Sequence, residues 1–243
     1  MTVLSLALRE GTAEAHTLAE HTAFMKCFVR GLITPSLFRQ FLANLYFVYT
    51  ALEAALASAT SDRLGAMYFP ELNRSGQLAE DLAFYYGDNW RDQITPLTAT
   101  RVYLSRIHDL AQSNPLLLIA HSYTRYMGDL SGGQALSKIV RSQLALPEGK
   151  GTAFYEFPAL PTPEDKKAFK QRYRETLDSL GLDEDAIARI VKEANFAFAL
   201  NCNLMHALEP ELKTTIGDQV WQSVVIENQP SRREHPRPAA VAV

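Results

Sequence analysis

The chain has 243 residues, 47% of them hydrophobic, with a formal net charge of −3 and two cysteines. That length supplies one large domain or two small ones and ample material for a core. The charge excludes recruitment to nucleic acid by an overall basic field, Cys27 and Cys202 form no CxxC motif, and no run of about 18 apolar residues encodes a membrane span. The opening Met1-Thr2-Val3-Leu4 lacks the charged and apolar regions of a signal peptide, so a cytoplasmic protein with reduced thiols is expected.

Residues 3–30 read as one or two amphipathic helices, with Arg9, His16 and Glu20 close to one face. After Gly31, Thr34-Pro35 has the cap and first-turn signature of a new helix. It runs to about Ser58 with Phe38, Phe41, Leu42, Leu45, Tyr46, Tyr49, Leu52 and Leu56 as its apolar stripe. Residues 61–76 read mostly as loop, Leu78–Tyr86 as a short helix ended by Gly87, and Pro96 to about Gln112 as another. A long helix follows from Pro115 to about Leu144, with Asn114 as its cap. Pro147-Glu148-Gly149-Lys150-Gly151 breaks it, and residues 151–162 form an aromatic connection. Thr162-Pro163-Glu164-Asp165 starts a helix that Gly181 ends; Asp183 to about Leu208 is the last long helix, with a weaker segment to about Glu227. Strand alternation is nearly absent. The expectation is an all-α, single-domain multi-helix fold over residues 1–228 and a disordered tail over 229–243.

The stretch Tyr123–Gln134 organises the chain. Three glycines interrupt its helix, each costing about 1 kcal/mol relative to alanine, so a bend or a close approach to the backbone is expected there. Gly128 and Gly132 share a face, and Arg125 and Asp129, also four apart, lie beside it. Close helix packing through small residues, with Arg125–Asp129 a surface ion pair, explains the same spacing.

Six histidines occur, without HExxH and without a glutamate three residues before any of them. No GxGxxG, P-loop or GxSxG motif is present. A flat apolar ligand lying on bare backbone with a histidine opposite would join the isolated histidines to the glycine strip, and haem fits that picture.

At Leu8–Thr12 with His16–Glu20, at Tyr68–Leu72, at Ala120–Tyr126 and at Gly128–Gln134, the sequence closely resembles the haem oxygenase family, particularly its soluble cyanobacterial members, over roughly residues 4–222. The resemblance implies a helical fold with haem sandwiched between a proximal N-terminal helix and a glycine-kinked distal helix. It implies cleavage of haem b, at once substrate and prosthetic group, at the α-meso carbon. O2 and reducing equivalents are consumed; biliverdin IXα, iron and CO are released. His16 then matches the iron ligand and Glu20 a partner orienting its imidazole. Gly128, Gly132 and Gly133 match the distal backbone over the haem. Asp129 matches the acid that holds distal waters for proton delivery, with Arg125, Tyr49 and Asn201 as supporting members. Lys170, Arg174, Tyr123 and Arg9 match the clamp on the propionates, although arginine at position 9 departs from the lysine of mammalian relatives. Phe198 matches a haem-contacting aromatic.

The resemblance also implies a monomer without membrane anchor or nucleic-acid partner. Ferredoxin is the expected electron donor, docking near Lys138 and Arg141, and a downstream bilin reductase serves photosynthetic pigment synthesis. A haem carrier or sensor would need His16 and the clamp but not Asp129. A thiaminase-like activity on the same fold would lack the distal block.

Overall fold

The computed structural model describes residues 3–59 and 62–227, and no strand occurs among them. The N-terminal stretch forms three short helices, α1 (Leu4–Gly11), α2 (Ala13–Glu20) and α3 (Ala23–Val29), rather than one or two. Threonines sit at both breaks. Thr12 turns its hydroxyl back onto the Leu8 carbonyl at 2.7 Å, and Thr22 caps α3 by accepting from the Met25 amide at 3.3 Å. Helix α1 buries Leu4 and Leu8, whereas α2 buries none of its side chains, so its histidine-bearing face is free to serve something other than the core.

Helix α4 (Pro35–Ala57) starts as its sequence predicts, with the Thr34 hydroxyl accepting from the Leu37 amide and Pro35 in the first turn. Of its stripe, Phe38, Leu42, Leu45, Tyr49, Leu52 and Leu56 are buried, whereas Phe41, packed on Phe24 of α3, and Tyr46 are half-buried. The expected loop over 61–76 contains one-turn pieces, α5 (Asp62–Gly65) and a 3-10 turn at Pro70–Leu72. Helix α6 (Ser75–Tyr86) begins earlier than expected because its cap comes from another helix. Glu53 of α4 accepts from the Arg74 amide, from the Ser75 amide at 3.1 Å and from the Ser75 hydroxyl. Gly87 ends α6 with φ at 82°, where a β-carbon would be strained. The short α7 (Trp90–Gln93) and α8 (Thr98–Ser113) complete this half, with α4 between α6 and α8.

The organising stretch is helical almost throughout but changes pitch. A 3-10 turn at Pro115–Leu117 leads into α9 (Leu118–Ser122), then a π-helical segment at Tyr123–Met127, then α10 (Gly128–Gln143). Asn114 makes no side-chain cap bond, contrary to expectation. The irregularity lies one turn before the glycines. The wider π turn there carries the chain from fully buried His121 and Ser122 to exposed Gly128 and Gly132.

The aromatic connection after α10 contains a 3-10 turn, Ala153–Tyr155, that braces α10 from behind. Asp81 of α6 accepts from the Ala153 and Phe154 amides, both at 2.8 Å. Gln134 of α10 donates to the Tyr155 carbonyl at 2.9 Å. The buried Arg74 guanidinium lies 3.8 Å from the Phe157 ring centroid and donates to the Leu72 and Glu156 carbonyls.

Helix α11 (Pro163–Ser179) opens with a reciprocal capping box between Thr162 and Asp165. Helix α12 (Glu184–Ile216) is capped by Asp183 and outruns its expected end at Leu208. Pro210 removes one backbone donor, but buried Leu212 and a bond from Gln40 to Glu211 at 2.7 Å hold the last turns. The weaker C-terminal segment is α13 (Asp218–Trp221) with a π-helical turn at Gln222–Glu227. Helix α12 is the spine: it packs on α1, α2, α3, α4, α8 and α9. Cys27 and Cys202 are both free thiols. The expected disordered tail, 229–243, lies outside the described residues.

Candidate functional site

The site starts from one face of α12. Phe198 meets the His16 ring edge-on, with ring centroids 5.8 Å apart. One turn further along, Asn201 accepts from the Arg125 guanidinium at 2.7 Å. Residues three apart share a helix face, so α12 ties the histidine of α2 to the carboxylate end of the organising stretch.

His16 is more than half exposed, and among the described residues none is hydrogen-bonded to its Nε2. Its Nδ1 is 3.7 Å from the Glu20 carboxylate, one turn on along α2. That distance is long for a hydrogen bond but places a carboxylate on the ring nitrogen that would not face a ligand. Among the described residues no group of three or more metal-ligating side chains occurs, so an ion here would be held by one histidine and by its own macrocycle.

Across from it, Asp129 is part of a buried cluster. The Tyr49 hydroxyl donates to its carboxylate, Arg125 Nε donates to the Tyr49 oxygen at 3.0 Å, and the Arg125 guanidinium lies 3.8 Å from Asp129. Burial pushes the Asp129 carboxyl above its ordinary range, against the pull of Arg125, Tyr49 and Arg74. Burial likewise holds the Tyr49 hydroxyl protonated, well above 10. Arg125 stays charged: Tyr49 and Asp129 outweigh the cost of its burial. The Arg125–Asp129 pair, which the alternative reading of the spacing places at the surface, thus faces inward, with each side chain little more than a tenth exposed.

Gly128 and Gly132 flank this acid with bare backbone. A β-carbon added at either would meet nothing within 4 Å, so both face open space. Gly133 differs: its β-carbon would come within 3.2 Å of the Tyr155 ring, so it serves the packing of α10 on its brace.

At the edge, Tyr123 is half-buried beside Thr12, and Arg174 and Arg9 lie close enough for their charges to act on its phenol. Burial dominates and raises that phenol. Arg9 and Arg174 are exposed and Lys170 is half-buried on the same helix as Arg174. Arg9 also pairs with its neighbour Glu10 at 3.6 Å. A flat, dianionic-edged macrocycle with one open iron position fits this set: a histidine on one side, uncovered backbone beside an acid on the other, and cations at the rim.

Tyr103, His121 and Glu193 were not anticipated from the sequence, yet they form a buried hydrogen-bonded set of their own, with His121 between the Tyr103 hydroxyl and the Glu193 carboxylate. They come from α8, α9 and α12, and no spacing within one segment could have related them.

Comparison with known proteins gives a consistent answer. The family model described as "Heme oxygenase" matches residues 2–207. Heme oxygenase 2 of Synechocystis sp. PCC 6803 is 53% identical over 235 residues, covering 96% of this chain and 94% of that protein. The crystal structure of heme oxygenase-2 from the same organism, in complex with heme and NO, superposes with a TM-score of 0.92 at 52% identity, covering 100% of both chains. Its heme oxygenase-1, in complex with heme, superposes with a TM-score of 0.85 at 45% identity, covering 91% of this chain and 99% of that one.

Proposed function

Because the chain belongs to the haem oxygenase family, we propose that it opens haem b at the α-meso carbon, consuming O2 and electrons and releasing biliverdin IXα, iron and CO. The observation that carries this reading is the buried acid Asp129 set between two glycines that present uncovered backbone. A haem carrier needs a ligand and a clamp; it has no use for a proton-holding acid beside the ligand face.

When bound, haem supplies the redox-active iron and the ring that is opened. The chain supplies position and protons. His16 offers Nε2 to the iron, and Glu20 favours a ring hydrogen on Nδ1. Gly128 and Gly132 let the distal backbone lie close to the haem plane. Asp129 holds waters between its carboxylate and the ligand face, while Tyr49 and Arg125 keep that carboxylate fixed. Phe198 seats His16 and lines the cleft. Lys170, Arg174, Tyr123 and Arg9 take the propionates and so decide which meso carbon faces Asp129.

Ferredoxin, the donor that the resemblance to cyanobacterial relatives implies, is the proposed source of electrons. Exposed Lys138 and half-buried Arg141 on α10 give an acidic donor a basic footing near the distal helix, although Arg141 is also bonded to Thr152. Supply of bilin to a downstream reductase, a cytoplasmic setting and a monomeric state complete the proposal. The test is reconstitution with haem, followed by reduced ferredoxin and O2. Loss of the Soret band with growth of a biliverdin IXα spectrum is the expected result; a stable oxygenated haem spectrum would instead select the carrier.

A further inference from the structure

The rim cations come from two helices that share one staple. Helix α1 begins without a cap of its own: Val3 makes no side-chain cap bond, and no acid stands in the first turn. The cap comes from α11. Asp178 accepts from the Ser5 amide through one carboxylate oxygen and from the Ser5 hydroxyl through the other, both at 2.8 Å. The first bond satisfies an amide that has no partner within α1, and the carboxylate sits where the helix dipole favours negative charge.

Helical spacing carries this staple to the rim. Ser5 and Arg9 are four apart on α1, and Arg174 and Asp178 are four apart on α11, so each pair shares a face. Asp178 meets Ser5 at one end, and Arg9 and Arg174 both lie beside the Tyr123 phenol at the other. The two helices pack on each other and therefore run in opposite directions, with the staple one turn, about 6 Å, from the two cations.

Of the two helices, α11 is the anchored one. Its Tyr173 is fully buried with its hydroxyl 3.0 Å from that of Ser122, and Phe169 and Leu177 are buried as well. Arg172 bonds Glu71 at 2.6 Å and lies over the Phe69 and Phe169 rings. Helix α1 has eight residues and buries only Leu4 and Leu8. Two guanidiniums repel each other, so their own interaction does not bring Arg9 to Arg174.

We propose that Asp178 is a positioning residue for the haem rim: by stapling Ser5 it sets α1 against α11 and so holds Arg9 beside Arg174, where the two cations meet the propionate edge. The proposal rests on the reading of Arg9 and Arg174 as propionate contacts. The charge of Asp178 works the other way. A carboxylate one turn from the rim repels propionates, so removing the charge alone would tighten haem binding. Weaker binding on its removal is therefore the mark of repositioning.

Haem titration of the haem-free protein tests it. Asp178→Ala should weaken binding about three- to fivefold, the range open to a solvent-screened charge contact. Ser5→Ala removes one bond and no charge, and should weaken binding less. Asp178→Asn keeps an acceptor for the Ser5 amide and should bind more tightly than the alanine variant. In an Arg9→Ala background, Asp178→Ala should change the affinity by less than about twofold. Unchanged or tighter binding in Asp178→Ala, or the same loss in both backgrounds, overturns the proposal. In the haem-free protein, amide hydrogen exchange over α1 should quicken in Asp178→Ala while that over α11 stays as in wild type. Equal quickening of both helices, or of neither, overturns the proposal as well. If Asp178→Ala does not fold, the same two measurements on Asp178→Asn and Ser5→Ala decide. An Arg9→Ala variant with wild-type haem affinity would overturn the clamp reading of Arg9 instead, and the exchange measurement does not depend on that reading.

Discussion

The Tyr49 hydroxyl donates to the Asp129 carboxylate, joining the middle of α4 to the first turn of α10. Tyr49 is fully buried, so the bond ties Asp129, itself little more than a tenth exposed, to the packed core of α4. Arg125 closes the triangle by donating to Tyr49 and lying over its ring with 5.0 Å to the centroid. An acid held this way can order solvent without moving.

Asp129→Ala should therefore leave the fold and the His16 side intact and abolish ring opening. Hydrogen peroxide added to the ferric haem complex should yield ring-opened product with wild type and none with the alanine variant, a loss of roughly a hundredfold or more in rate for a positioned proton-transfer group. Asp129→Asn should fall between them, since the amide holds water without charge. Ring opening at the wild-type rate in Asp129→Ala would reduce the acid to a partner of Arg125.

His16→Ala should retain haem binding through the rim cations and apolar walls while losing the histidine-ligated spectrum and turnover. Added imidazole should restore part of both by refilling the position that His16 Nε2 leaves. A wild-type spectrum without imidazole would assign the ligand elsewhere.

The glycines separate into two kinds. Gly132→Ala meets nothing and should stabilise haem-free protein by roughly 0.5–1 kcal/mol, raising its melting temperature, while weakening haem binding because the new methyl group enters the ligand face. Gly133→Ala meets the Tyr155 ring at 3.2 Å and should lower the melting temperature through the brace. Equal effects of the two variants on both melting and haem affinity would contradict this division.

The paired change Lys170→Ala with Arg174→Ala should weaken haem affinity by roughly tenfold, with little effect on melting. Contacts to charged groups contribute roughly 1.5–3 kcal/mol each, and less where solvent screens them as it does at exposed Arg174. Product analysis should also reveal a second biliverdin isomer, because a haem less firmly held at its rim can rotate. Unchanged affinity and a single isomer would remove both residues from the site.

Acid sensitivity isolates Glu193. Burial alone would raise its carboxyl, but Arg106 and His121 hold it at about 2 instead of 4.5. A depressed acid contributes stability that is present above the unfolded value and lost as pH falls through the folded one. Urea unfolding should therefore show Glu193→Gln less stable than wild type above about pH 4.5, with the gap closing toward about pH 2. A gap that is constant across that window would place the effect in packing.

Local signals read well where the cause is local. Thr34-Pro35 and Thr162-Pro163-Glu164-Asp165 carry their own caps, and both helices begin where those residues predict. Gly128, Asp129 and Gly132 are contiguous enough for their common face to be read from spacing, and His16 and the distal block are specific enough to identify the family. The start of α6 was not readable, because its capping carboxylate, Glu53, comes from α4. Nor was the burial of Arg125 and Asp129: a pair four apart on a helix looks alike in sequence whether it faces solvent or Tyr49. The arrangement of Tyr103, His121 and Glu193 was decided only by packing. A hydrogen bond depends on distance and angle between groups tens of residues apart, and here α8, α9 and α12 set them, whereas helix periodicity relates residues only within one element.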